Sequence, residues 1–285
     1  MSTNPKTIAV FIDPSVSGDR RAAQAAALAR RWDAHLVGVY VKFKGVTPHR
    51  SLAYARSEKA IAGVIAHEQR VADACECTTA EVGDHFRALC DRLGVSGEFR
   101  PIHRDKTEEA AIINSLHSDL LIIGHPEPNG LPDDLSAEKI LVASGVPLLI
   151  IPNAWNGETI GSRIMIGWNA SPEARRAISD AMCLLVAATS VTALIVDPAG
   201  QKWLGADSGC DIAQHLGRHG AHVEVEQTAS RGRPIAEVIL GRAMQLGSDL
   251  LVVGARNPAH LREILFGSAA RTLLKKMPVP VLISR

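Results

Sequence analysis

The residues with the clearest chemical potential lie between Gly254 and Ala269. The chain there reads Gly254-Ala255-Arg256-Asn257, nine further residues, then Gly267-Ser268-Ala269, with Lys275, Lys276 and Pro278 closing the stretch. Gly254 ends an apolar run, where the backbone must turn sharply or approach a ligand closely. Gly267-Ser268 opens a helix-period segment whose free N–H groups and dipole suit an anion, and Ser268 serves as N-cap or as hydroxyl donor to a phosphate. Lys275, Lys276 and Pro278 end that helix in the expected way. The chemistry implied is a phosphate cradle, although the same residues also describe an ordinary glycine-containing loop with a capped helix. Arg256 and Arg262 suit either phosphate neutralisation or a solvated surface. For activating water the loop offers only Glu263 and His260, neither at a position with an obvious catalytic role.

Other chemistries lack their signatures. Neither G-x-G-x-x-G nor G-x-x-x-x-G-K-[ST] occurs, which argues against dinucleotide dehydrogenases and P-loop NTPases, and no G-x-S-x-G elbow supports a hydrolase. His67, Cys75, Cys77, His85 and Cys90 make a zinc site conceivable. Cys75 and Cys77 point to different faces of a helix, however, and no Cys-x-x-Cys or His-x-x-x-His pair completes the cluster, so no metal site is expected. Asp197 suits a ribose hydroxyl or a magnesium ion, but capping the next turn is the simpler role. Packing is the default role for Trp155, Trp168 and Trp203.

The elements that must position the cradle are written twice. Asp119-Leu-Leu-Ile-Ile-Gly124 recurs as Asp249-Leu-Leu-Val-Val-Gly254, and each leads to an apolar run entered through Val-Pro, at Val146-Pro147 and Val279-Pro280. Ile8 to Ser15 likewise matches Ile164 to Ser171. The chain is therefore a tandem duplication, with domains at 1–153 and 154–285 joined by the Asn- and Gly-rich linker 153–161. Alternating β-branched runs and helix-period stretches predict right-handed βαβ units and an α/β fold of two tandem, open, five-stranded parallel sheets of Rossmann-like type. Strands are expected near 7–13, 35–41, 97–103, 119–124 and 147–151, and again near 162–168, 190–197, 221–228, 249–253 and 280–284. Helices are expected near 18–32, 52–93 (with a break), 107–117 and 134–144, then near 172–188, 207–219, 232–246 and 268–276. The Leu-Leu-Ile-Ile and Leu-Leu-Val-Val runs do not alternate, as befits strands covered on both faces. Val-Pro-Val final strands would be apolar edges if unpaired, and so predict pairing between the copies or between chains as a homodimer.

The glycine pattern, its strand and helix context and the closing Pro-Val strand together resemble the nucleotide-binding signature of the universal stress protein family. That resemblance covers the whole chain as two domains. It implies a five-stranded parallel α/β sandwich and an ATP site, with or without Mg2+. Carried over residue by residue, the adenine end falls on Asn169 and Val196. The phosphate end falls on Gly254, Ala255, Asn257, Gly267, Ser268 and Ala269. Asn169 replaces the usual Asp but still offers donor and acceptor to a purine edge. Asn257 replaces Gly and tolerates a positive φ. The first copy keeps Asp13 but reads Gly124-His-Pro-Glu127-Pro-Asn-Gly-Leu-Pro-Asp133-Asp134 where the cradle belongs. Prolines there remove N–H donors, acidic residues repel phosphate, and Gly-Ser is missing, so this copy is a degenerate partner. The resemblance implies a stress-response regulatory protein binding ATP or a related adenine nucleotide. The alternatives are a slow ATPase or adenylyl-transfer enzyme on the same site, or a nucleotide-free interaction scaffold.

Composition agrees with these readings. The 285 residues are 46% apolar and 21% charged with a net charge of +1, which excludes a disordered chain and wholesale capture of nucleic acid or anionic membrane. The halves carry net charges of −2 and +3, so neither is a basic arm. The most membrane-like window, Ile178 to Val196, divides into a helix end and a β-branched run, so no spanning segment is expected. The N-terminus shows no signal-peptide pattern, and the five cysteines are an odd count; both favour a cytoplasmic protein with reduced thiols.

Overall fold

In a computed structural model, residues 4–42, 57–103, 107–125, 136–198, 208–255 and 268–285 are described. The N-terminal half runs β1 (Thr7–Ile12), α1 (Val16–Trp32), β2 (His35–Lys42), α2 (Glu58–Leu93), β3 (Gly97–His103), α3 (Thr107–Leu116), β4 (Leu120–Gly124), α4 (Ala137–Ser144) and β5 (Leu148–Ile151). The C-terminal half repeats the order as β6 (Arg163–Gly167), α5 (Pro172–Ala187), β7 (Ser190–Val196), α6 (Ser208–Arg218), β8 (Val223–Thr228), α7 (Ile235–Gln245), β9 (Leu250–Gly254), α8 (Ser268–Lys276) and β10 (Val281–Ser284).

The ten strands form one sheet in the order β3-β2-β1-β4-β5-β10-β9-β6-β7-β8. Neighbours within each half are parallel, as helix crossovers require. The halves meet antiparallel, with Val281 opposite Ile150, Leu282 opposite Leu149 and Ile283 opposite Leu148. The apolar strands entered through Val-Pro thus pair with each other inside the chain, and neither is left as an open edge. Because this one pair is antiparallel, the strands of the two halves end at opposite edges of the sheet. Any site at the strand ends of one half is therefore remote from its counterpart in the other.

Both faces of the sheet are covered. One core combines Ile8, Val10, Leu36, Leu120, Ile164 and Leu250 with Ala25, Ala29 and Trp32 of α1 and Ile178, Ala181 and Leu185 of α5. The other combines Leu121, Leu148, Ile150, Leu251, Val281 and Ile283 with residues of α4, α7 and α8. The central strands are therefore buried along their whole length and almost wholly apolar.

Two sequence expectations are corrected in detail. The expected break in the second helical stretch is absent from the described residues: α2 is continuous over 36 residues. Its last turns bury Phe86, Leu89 and Cys90, whereas Ile61 and Ile65 near its start are exposed. Residues 153–161 are also more than a tether. Gln24 donates to the carbonyls of Gly157 and Glu158, both at 3.1 Å, Arg20 reaches the Trp155 carbonyl at 3.3 Å, and Ile160 is buried.

The repeated aspartates have a structural explanation. Asp119 accepts the N–H groups of Lys6 and Thr7 at 2.7 and 2.9 Å, and Asp249 accepts those of Gly161, Ser162 and Arg163 at 2.9 to 3.1 Å. Each carboxylate thus satisfies main-chain donors where the first strand of its own half begins.

Candidate functional site

In the C-terminal half, strands β9, β6 and β7 lie side by side, so Gly254, Asn169 and Val196 arrive at one edge from three neighbouring strands. At roughly 4.8 Å per strand, that edge spans about 10 Å from β9 to β7. Helix α8 starts at Ser268 and returns to β10, which places its N-terminus at the edge where β9 ends. The main-chain N–H groups of its first turn, Ser268 and Ala269 included, have no acceptor within the helix. Asn257 and Gly267 lie outside the described residues, as do Arg256, His260, Arg262, Glu263 and Trp203.

Gly254 is required by a close approach, but the approach is to a helix. A Cβ there would lie 2.3 Å from the Ala174 nitrogen and 2.4 Å from the Glu173 carbonyl carbon, so β9 ends against the first turn of α5. Ala255 is buried, and its N–H donates to the Ser284 carbonyl at 2.7 Å. That N–H continues the β9–β10 ladder and is not available to a phosphate. The Val196 side chain is buried, so a ligand can meet only its main chain.

Asn169 is exposed, and its Oδ1 accepts the Ser171 N–H at 3.2 Å. Ser171 in turn caps α5, its hydroxyl accepting the Ala174 N–H at 3.1 Å. Between them Ala170 sits at φ 53°, a left-handed conformation that costs a residue with a Cβ. Asp197, also left-handed at φ 50°, accepts the Ser230 N–H at 2.8 Å. Hydrogen bonds from Ser230 hold its carboxyl below the usual carboxylate range. Asp197 therefore ties the ends of β7 and β8 together, a bond across strands where the sequence suggested a cap on the next turn.

The N-terminal half uses the matching residues differently. Asp13 aligns with Asn169, but its Oδ1 accepts the Ser15 N–H at 2.9 Å and its Oδ2 pairs with the Arg21 guanidinium. Arg21 is 1% exposed and also donates from Nε to the Phe11 carbonyl at 2.7 Å. Burial lowers the Arg21 pKa while Asp13 pulls it back up. The repeat aligns Arg21 with Ala177, so this ion pair has no counterpart in the C-terminal half. Burial likewise raises the Tyr40 pKa, with smaller contributions from Cys75 and Asp13. The carboxylate that the first copy retains is thus committed to its own helix. Residues 126–135, the degenerate cradle, lie outside the described residues. Just before them His125 bonds through Nε2 to the Leu274 carbonyl in the last turn of α8, at 2.7 Å, joining the two halves.

One pair escaped the sequence reading. His215 and His219 are four apart, a spacing visible in the sequence, and their rings meet edge-on at 4.9 Å. Desolvation lowers the His215 pKa, with Arg175, His219 and Arg218 adding to the effect. The Arg175 and Arg218 guanidinium groups disfavour a metal ion, and among the described residues no three of His, Cys, Asp or Glu come together to hold one. No helix among the described residues is long and apolar enough to cross a membrane.

The sequence profile of the universal stress protein family matches residues 162–285. Residues 162–285 thus carry the sequence pattern of that family. The full chain resembles a universal stress protein from Archaeoglobus fulgidus DSM 4304, with 16% identity and a TM-score of 0.69 over 99% of this chain and 97% of that one. It also resembles a functionally unknown protein from Pseudomonas aeruginosa PAO1, with 19% identity and a TM-score of 0.61 over 99% and 93%. At these identities the likeness is one of fold. Both matches span the two halves, so the universal stress protein architecture occurs here in tandem. No curated protein matches the chain in sequence.

Proposed function

We propose that the C-terminal half binds ATP or a related adenine nucleotide and that the protein acts as a stress-response regulatory module. The supporting observation is the convergence of Asn169, Val196 and Gly254, from three adjacent strands, with the N-terminus of α8 at one edge. A base placed over β6 and β7 sets the phosphates toward β9 and the first turn of α8, where main-chain N–H groups and the helix dipole favour an anion. Gly267 and Asn257 complete the cradle in this reading. Asp197 is committed to Ser230, so Mg2+ is held by the phosphates and water. Residues 1–153 form the partner domain and residues 154–285 the binding domain of a cytoplasmic protein.

The test is to heat-denature purified protein, identify released nucleotide by mass spectrometry, and titrate ATP against wild type and Gly267→Val. Nucleotide in the supernatant, titratable binding and its loss in the variant support the proposal. No released nucleotide together with no titration overturns it. Binding without turnover distinguishes a regulatory module from a slow ATPase.

A further inference from the structure

We infer that His125, a residue of the N-terminal half, is a positioning residue for the nucleotide site of the C-terminal half, because it caps the far end of α8. The inference rests on the nucleotide reading above, in which the first turn of α8 meets the phosphates. It adds that the site is incomplete without the other half.

The last four carbonyls of a helix have no donors within it. The two copies meet that need differently. Val146-Pro147 aligns with Val279-Pro280, so Leu141 corresponds to Leu274 and Gly145 to Pro278. In α4 the Leu141 carbonyl accepts the Gly145 N–H at 2.9 Å, with Gly145 at φ 66°, the usual glycine cap. In α8 the matching residue is Pro278, which has no N–H to give. The Leu274 carbonyl instead bonds to His125 Nε2 at 2.7 Å, 149 residues away in the chain. A carbonyl can only accept, so Nε2 carries the proton. His125 is itself anchored, its main-chain N–H donating to the Ile151 carbonyl at 3.1 Å where β4 and β5 end. The support runs one way, since Gly124 aligns with Gly254 and His125 therefore with Ala255, which has no side-chain donor to offer α4.

Helix α8 depends on such support. Its 9 residues fall short of the roughly 12–15 at which an isolated helix becomes even marginally stable, so packing and end contacts hold it. Leu273 and Leu274 are buried, and Arg271 reaches Glu138 of α4 at 3.2 Å, a second bond to the N-terminal half. Leu274 lies about 9 Å along the axis from Ser268, so loss of the cap loosens the turn that presents N–H groups to the phosphates. His125 acts through α8 and does not touch the ligand.

The experiment is calorimetric titration of ATP into full-length wild type, His125→Ala, His125→Gln and the double variant His125→Ala with Pro278→Gly, with hydrogen exchange of the α8 amides followed in parallel. His125→Gln keeps a donor at similar reach, and Pro278→Gly gives Leu274 the main-chain N–H that Gly145 gives Leu141. The expected result for His125→Ala is a Kd about fivefold weaker, the worth of one hydrogen bond, with faster exchange in α8. Both return toward wild type in His125→Gln and in the double variant. An unchanged Kd in His125→Ala, or a loss that neither compensating variant restores, overturns the positioning role and leaves the nucleotide reading standing. Failure of ATP to bind wild type overturns both.

Discussion

The ion pair between Arg21 and Asp13 is the feature that most separates the N-terminal half from the C-terminal one, and its energetics follow from unequal burial. Arg21→Met keeps the aliphatic bulk but leaves the Phe11 carbonyl without its donor, at about 1 kcal/mol. Asp13 loses its cation, yet its side chain is 20% exposed and keeps the Ser15 N–H, so water replaces part of what is lost. The expected cost is about 2–3 kcal/mol, below the roughly 3–5 kcal/mol of a fully buried broken pair. Asp13→Asn leaves a guanidinium that is 1% exposed and cannot shed its proton, so it should cost more, toward the top of that roughly 3–5 kcal/mol range. The double variant removes both charges and should lose about 2 kcal/mol less than the sum of the single losses. Equilibrium denaturation in urea, with unchanged m-values as the control, measures all three. A loss under about 1 kcal/mol for Arg21→Met, or additive losses in the double variant, would refute the argument that Asp13 is held by its own helix.

Three further outcomes follow from individual positions. Gly254→Ala drives a Cβ into the backbone of Glu173 and Ala174, which cannot rotate away, and should cost about 3 kcal/mol, the upper end for overpacking; a denaturation midpoint equal to wild type would show that β9 and α5 separate freely. Ala170→Gly relieves a left-handed alanine at φ 53° and should raise stability by about 0.5–1 kcal/mol, whereas a loss would mean that the conformation carries no strain. Cys77 and Cys210 are exposed, while burial pushes the Cys183 thiol up to about 11 and also raises Cys90. At pH 7 a thiol reagent should therefore modify Cys77 and Cys210 first and reach Cys183 only after denaturation. Rapid labelling of Cys183, read by peptide mass mapping, contradicts this.

Much of the architecture was legible along the chain because it rests on short-range regularities. The Asp-Leu-Leu repeats and the two Val-Pro entries located β4, β5, β9 and β10 to within a residue or two, since an apolar run of four or five residues can be covered only as a strand between helices. Ser268 as the first residue of α8 followed from Gly-Ser chemistry. The continuity of α2 did not, because the start of this helix leaves Ile61 and Ile65 exposed and so lacks the buried face by which a continuous helix is recognised.

What the sequence by itself determined is the duplication, the α/β class, and the choice of the C-terminal half as the one with a glycine-serine loop. Only the tertiary structure decided that the two final strands meet antiparallel and merge two sheets into one. Only there does Gly254 prove to be demanded by α5, Asp13 to be held by Arg21, and the Asn169 amide to be turned with its oxygen inward. The physical reason is the same in each case. Residue type sets what a group can donate, accept or fill, but which of those capacities remains for a ligand depends on the partners that folding brings to it, and most of those partners are distant in the chain or fixed by the geometry of a turn.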